Sequence, residues 1–392
     1  MRRIAFAIPI SAIYQNEFVF GRVSKMAAEI RSLTGVRGIG AALIVVYHFG
    51  KTRLDWVHPI WPVPHGYMAV DLFFMLSGFV IGLGYRNAFS EHFLKNYGAF
   101  LIKRIARLYP AYIAISVLYI LKLALGLAGD ENLSRFSRYD VIGNALMLGG
   151  WGLHIYPLIG VAWAASAEMG SYILLPLLMK GTLQRGILSW SLCVLLSGIA
   201  IYAIGASGLG YTGPLDVVET TSLYPLLRAI AGFTFGLAIY RYVENLDRLT
   251  ARSQDALLIV TLVALVLAAC LTTNDFPVYF LLIPLVAILS RDGRLALLLF
   301  GNKFVYHLGA ISYSIYLLHP LFVRFAALSS RHFGATPLAY SICSLISFIV
   351  IWGLSYLSYR FIEMPGRNLI AALFLTKRDG VAVSPARISG HT

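Results

Sequence analysis

The chain has 392 residues, 58% of them hydrophobic, and its charged residues (32 Lys and Arg, 18 Asp and Glu) are fewer than its aromatic ones (23 Phe, 23 Tyr, 6 Trp). A water-soluble domain carries about 25% charged residues against 13% here, so most of this surface faces a solvent other than water, and a bilayer is that solvent. The formal charge of +14 does not indicate nucleic acid, because the sequence has no basic block with interleaved aromatics; the cations sit in short loops between apolar runs and read as topology signals.

Residues 1–30 carry Gln15, Asn16 and Glu17 where an apolar signal core would continue, and are expected to form a cytoplasmic extension. Lipid offers the backbone no hydrogen-bond partner, so each span must be a helix of about 20 apolar residues. Ten such runs are expected: 36–50, 67–85, 108–128, 160–179, 187–206, 223–242, 256–272, 276–290, 305–328 and 338–361. The weaker run 140–158, with Gly149, Gly150 and Pro157, reads as a short helix or re-entrant segment.

Of the 32 Lys and Arg, 24 fall on the side of the N-terminus and 5 on the other when ten spans are drawn. The positive-inside rule then places both termini in the cytoplasm. The expected fold is an all-α integral membrane protein with one membrane domain at 31–367 and a cytoplasmic tail at 368–392. No paired interruption of spans in two halves is visible, and the sequence shows no internal repeat. Cys193, Cys270 and Cys343 each fall in a separate apolar run without metal-ligand spacing, so neither a disulfide framework nor a metal site is expected.

Ionisable groups inside a membrane are costly, which makes the few present the functional candidates. In the first span Arg37 and His48 are eleven residues apart, about 16 Å of helical rise on one face. Asp71 enters with the second span near the depth of His48, where it can orient the imidazole or compensate a helix N-terminus. Lys103, Arg104 and Arg107 share a cationic face just before the third span, suited to membrane anchoring or to phosphate binding. Trp163, Ser166 and Glu168 open the fourth span, but helical spacing separates Ser166 from Glu168 by about 160°, so a dyad on this one helix is not expected. Ser312, Tyr316 and His319 form a polar stripe on the ninth span, with Pro320 loosening the backbone next to the histidine.

Seven ordered blocks tie these residues together: RSLTGVRGIGAALIVVYHF, GYMAVDLFFMLSGFVIG, RIARLYPAY, WAASAE, RAIAGFTFG, ISYSIYLLHPLF and RFIEMPGR. In this order, over residues 31 to 367, the chain resembles the integral-membrane acyltransferase 3 family, whose members modify sugars of envelopes, antibiotics or signalling glycans. The resemblance implies an acyl-CoA donor, acetyl-CoA being the commonest, on the cytoplasmic side of a bacterial inner membrane, and a hydroxyl of a glycan or lipid-linked sugar as acceptor. By position His48 corresponds to the family's catalytic histidine, Arg37 to its paired residue, Arg104 and Arg107 to the basic motif at the donor entrance, and Glu168 to the acid of a Trp-Ser-Leu-Ser-x-Glu block. This sequence departs from the pattern with Ala164 and Ala165 in that block, Met169 after Glu168, and Thr34 where an Asp is frequent.

The expected chemistry is direct acyl transfer with His48 as general base, a role suited to a side chain whose reference pKa is about 6.5. Asp71 or Glu168 is expected to hold the second imidazole nitrogen. Arg37, Arg104 and Arg107 are expected to serve the donor, while Trp163, Ser166, Ser312, Tyr316 and His319 face substrate. A transporter of glycans or acyl groups and a membrane scaffold without chemistry are the rival readings.

Overall fold

The computed structural model describes residues 29–51, 63–86, 93–127, 132–243, 246, 249–334 and 336–375. Nearly all of the expected extension 1–30, and the tail beyond 375, lie outside these residues. The described residues contain fifteen α-helices and no strand. In chain order the helices are α1 (Arg31–Lys51), α2 (Ala69–Tyr85), α3 (Phe93–Ala124), α4 (Arg138–Ala145), α5 (Trp163–Ile173), α6 (Leu175–Met179), α7 (Ile187–Ala206) and α8 (Tyr224–Tyr242). They continue as α9 (Ala251–Leu271), α10 (Asp275–Leu289), α11 (Arg294–Leu299), α12 (Lys303–Ala310), α13 (Ser312–His332), α14 (Pro337–Ser358) and α15 (Met364–Phe374).

Among the described residues six helices are long and apolar enough to cross a bilayer, and eight spans result if each of two bent pairs counts as one. All ten expected runs are helical over most of their length. The two that do not qualify by length and hydropathy are α8, which carries Arg228 and Arg241, and α10, which has only 15 residues. Segment 140–158 is no span: the eight-residue α4 starts in a capping box made by Ser137 and Asp140, and the chain then loops through Met147, Gly152 and His154, all at positive φ. Helix α3 begins well before the expected 108, so the helical face of Lys103, Arg104 and Arg107 lies within it rather than just ahead of it. Helix α15 runs past the boundary expected at 367 and packs on α3, with Gly366 against Pro110.

Two of the expected spans are bent. Gly160–Ile173 and Leu175–Gln184 meet at 62°, and α12 and α13 meet at 71°. Pro176 explains the first break, since its ring clashes with a continuing helix and it donates no hydrogen bond. The second falls at Ile311, immediately before the polar stripe of α13.

Helices α2 and α8 form the centre: 83% of the α2 span is buried, against 11% of α9 and 17% of α7, whose leucines face outward as lipid contacts. Small residues let the central pair meet backbone to backbone. A Cβ on Gly78 would overlap the Phe233 carbonyl, and one on Gly236 would overlap the Met75 carbonyl. The same device closes α1 on α12, where Gly309 lies against the Thr34 carbonyl. Replacing Gly78 by Leu is therefore expected to abolish the monodisperse peak of detergent-solubilised protein in size-exclusion chromatography, whereas Gly84→Leu, at a position with open space, leaves that peak intact.

Candidate active site

Five helices, α1, α2, α3, α5 and α13, supply the walls of a cavity of about 60 Å³. Its polar lining is Arg37, Ser77, Arg107, Glu168, Ser312, Tyr313 and Tyr316, with Phe73 and Phe74 among the apolar residues. The volume admits a water or a narrow chain rather than a whole cofactor. Glu168 Oε1 accepts a hydrogen bond from Tyr172 Oη at 2.5 Å and a second from Ser77 Oγ, so the carboxylate is fixed by its own helix and by α2. Arg37 shares this lining with Arg107 and Glu168, and Arg104 is near enough for its charge to act on Arg37. One Nη of Arg37 and the Nε of Arg104 are buried without a hydrogen-bond partner among the described residues.

Arg104 itself is caged by aromatic rings, its guanidinium 5.3 Å from the centroid of Phe100 and 5.8 Å from those of Tyr85 and Tyr172. Arg367, brought in by α15, stands in the field of Arg107 and Arg104, and Glu363 in that of Arg107. Glu363 accepts from Ser314, which ties α15's entry to the start of α13. The region thus gathers four guanidinium groups around two carboxylates, an excess of positive charge with donors to spare.

His48 lies three turns beyond Arg37 on the same helix. Its Nδ1 is 2.9 Å from the Ile44 carbonyl oxygen and 3.2 Å from His319 Nε2. The two rings are 4.7 Å apart at their centroids, and the Nδ1 of the fully buried His319 is 2.7 Å from the Tyr316 carbonyl oxygen. Tyr316 joins the two regions: it lines the cavity, its ring lies 5.9 Å from that of His319, and its hydroxyl donates to the Val161 carbonyl at 2.6 Å.

The second imidazole nitrogen thus meets a histidine, and not Asp71 or Glu168 as the sequence suggests. Asp71 is taken up by Arg228, whose Nε donates to Oδ1 at 2.7 Å while Nη2 donates to Oδ2. Both side chains are buried, and the Tyr67 and Trp163 rings flank the guanidinium at 5.7 and 5.6 Å. Trp163 is thereby a wall for an ion pair. Ser166 is also committed: its Oγ accepts from the Gly150 N–H at 3.0 Å and its carbonyl from Trp151, which pins the loop after α4 onto α5. Ser312 faces the cavity while its hydroxyl donates to Gly309. The structure therefore brings Arg37, Arg107, Glu168, Ser312 and Tyr316 together, sets His48 and His319 beside them, and places Asp71 and Ser166 in separate contacts. Arg228 is the residue that sequence reasoning left without a role. Its signal was present, since an acid and a base buried in two spans are expected to find each other.

These features define a helical membrane protein with a polar, cation-rich interior next to a histidine pair. A family model described as an acyltransferase domain matches residues 30–356, and the chain belongs to this family of acyltransferases. A Staphylococcus aureus (strain COL) protein named as an O-acetyltransferase is 23% identical over 370 residues, which cover 86% of this chain and 57% of the relative. The chain thus spans little more than half the length of the staphylococcal proteins it matches. A Komagataeibacter xylinus protein named as a membrane-bound transacylase is 24% identical over 389 residues, 92% of this chain and 91% of that one. No solved structure matches the chain at a significant level.

Removing one partner of a buried ion pair costs about 3–5 kcal/mol, because the remaining charge is stranded. Arg228→Leu and Asp71→Leu are each expected to lower the thermal unfolding temperature sharply, and the double variant to recover much of the loss. Unfolding temperatures of purified protein in detergent check the cycle; additive losses would reject the pair.

Proposed function

We propose that this protein transfers an acyl group, acetyl by the naming of its relatives, from acyl-CoA to a hydroxyl of a glycan or lipid-linked sugar. The observation that supports the reading is a cavity lined by Arg37 and Arg107, with His48 about three helical turns from Arg37 on α1 and paired with His319. A CoA thioester carries phosphates at one end and its reactive carbonyl at the other, and one face of α1 offers a match to both. The proposed ten-span topology, with both termini in the cytoplasm of a bacterial inner membrane, puts Arg37 toward the donor side and His48 toward the acceptor side.

In this mechanism Arg37, Arg104 and Arg107 hold the donor phosphates, with paired N–H groups matched to phosphate oxygens. Glu168 keeps the arginines apart and aimed, since Ser77 and Tyr172 leave it no freedom to follow a ligand. Ser312 and Tyr313, in the first turn of α13 after the break at Ile311, line the same cavity. The pantetheine arm passes Tyr316 to bring the thioester to His48. The acceptor oxygen attacks the carbonyl carbon as its proton passes to the imidazole; the C–S bond then breaks, and the proton returns to the leaving sulfur. Ester and free thiol result, with no covalent enzyme intermediate and no net proton change.

Positioned general bases contribute about 10²–10⁴-fold to rate. His48→Ala is expected to lose at least that range in acyl transfer from acetyl-CoA while remaining inserted and monodisperse. Normal turnover by this variant rejects the base assignment. Arg107→Ala is expected to raise KM for acetyl-CoA by about tenfold, with kcat less affected, as fits lost phosphate contacts. Mass spectrometry of surface glycans and lipids from cells with and without the gene identifies the acceptor as the species that loses one acyl mass. The transporter alternative predicts flux of substrate through proteoliposomes without any acyl donor, and the two bent spans justify running that control.

A further inference from the structure

His319 is followed by Pro320 inside helix α13. A proline has no N–H, so the carbonyl four residues earlier, that of Tyr316, loses the donor that a regular helix would give it. That carbonyl is met by His319 Nδ1 at 2.7 Å. A carbonyl only accepts, so His319 carries its proton on Nδ1, and in the neutral ring the lone pair is then on Nε2. This lone pair faces His48 Nδ1 at 3.2 Å, and the same His48 nitrogen faces the Ile44 carbonyl at 2.9 Å. Two acceptors converge on one nitrogen, which must therefore be the protonated one. The neutral His48 ring is left with its basic lone pair on Nε2.

We propose that His319 is a positioning residue for acyl transfer, which fixes the tautomer of His48 through a chain that begins at the carbonyl freed by Pro320, so that Nε2 of His48 is the atom that accepts the acceptor's proton. The inference rests on the reading of His48 as the base and deepens it, since it replaces the carboxylate normally paired with a catalytic imidazole by a second histidine. When His48 Nε2 takes the proton, the positive charge spreads to Nδ1–H, which already points at the His319 lone pair. No group has to reorient. Among the described residues, the charged and titratable groups around the pair include Tyr47 and Lys51 on α1, Asp216 from the loop after α7, and Tyr316 on α13.

The test separates geometry from mere packing. His319→Phe keeps a ring of similar volume and removes the acceptor, whereas His319→Gln keeps an acceptor near the Nε2 position. With purified protein in proteoliposomes, acetyl-CoA and the acceptor identified by mass spectrometry, His319→Phe is expected to lose about 10²-fold in kcat, within the span set by tautomer loss in other histidine systems, with both KM values within about threefold. His319→Gln is expected to recover about tenfold of that loss. Pro320→Ala, which returns an N–H to the Tyr316 carbonyl and so competes with His319, is expected to lower kcat by a few fold, about the effect of a weakened neutral hydrogen bond. An unchanged kcat in His319→Phe alongside an inactive His48→Ala overturns the positioning role and leaves the base intact; an active His48→Ala overturns the base itself. If His319→Phe does not yield folded protein, solid-state ¹⁵N NMR of histidine-labelled wild type decides, with His48 assigned by its loss in His48→Ala. A pyrrole-type Nδ1 and a pyridine-type Nε2 are expected, and the reverse pattern sinks the proposal.

Discussion

A polar group in hydrocarbon has no water to turn to, so a buried donor, acceptor or charge is costly unless another part of the chain meets it. That requirement organises the interior. Asp71 on α2 is met by Arg228 on α8, Glu168 on α5 by Ser77 on α2, His48 on α1 by His319 on α13, and Glu363 by Ser314 on α13. The first of these joins the two helices that Gly78 and Gly236 bring into backbone contact, and the others tie further helices to that centre. Helix association in lipid gains little from apolar burial, so these contacts hold the bundle in one arrangement as well as shaping the site.

The charges are not spread evenly. Near the middle of the bundle Asp71 and Arg228 cancel within a pair enclosed by Tyr67 and Trp163. Around the cavity Arg37, Arg104, Arg107 and Arg367 outnumber Glu168 and Glu363, and part of their hydrogen-bonding capacity is unspent. The first arrangement is balanced in charge, although one Nη of Arg228 is also without a hydrogen-bond partner among the described residues, and it suits a strut. The second carries net positive charge and suits an anion, because a guanidinium excess in a low-dielectric site attracts negative charge far more strongly than it would in water. Two features that look alike in a sequence, an arginine inside a span, thus divide by the company they keep.

How far the sequence carries the argument follows from the range of each signal. Helical periodicity is local, so the shared face of Arg37 and His48, the stripe from Ser312 to His319 and the wrong spacing of Ser166 and Glu168 were all legible within single helices. Partner choice is set by packing between helices far apart in the chain, and none of the interhelical pairs could be read that way. Asp71 looked like a partner for His48 because both lie near one depth; Arg228, on a neighbouring helix, claims it with two hydrogen bonds. The breaks at Leu174 and Ile311 were missed for a related reason. Pro176 was visible, but a proline bends some helices and merely starts others, and nothing local marks Ile311 as a corner. The shared cationic face of Lys103, Arg104 and Arg107 is legible in the sequence, but the start of their helix at Phe93 is not, because the polar first turns lie outside the apolar run.

The histidine pair shows why such a site gains from avoiding the obvious carboxylate. In a low-dielectric interior an acid beside an imidazole favours the ion pair, and an imidazolium cannot accept a proton. A second neutral ring supplies the same directional acceptor without adding a charge, provided that its own tautomer is settled. Settling it requires a carbonyl that the helix does not already use, and a helix interior offers one only where the donor four residues on is missing. Pro320 creates that vacancy at Tyr316, one residue after the histidine that fills it. The proline that loosens α13 and the histidine that faces α1 are on this view one device, in which a defect in backbone hydrogen bonding is converted into the orientation of a side chain.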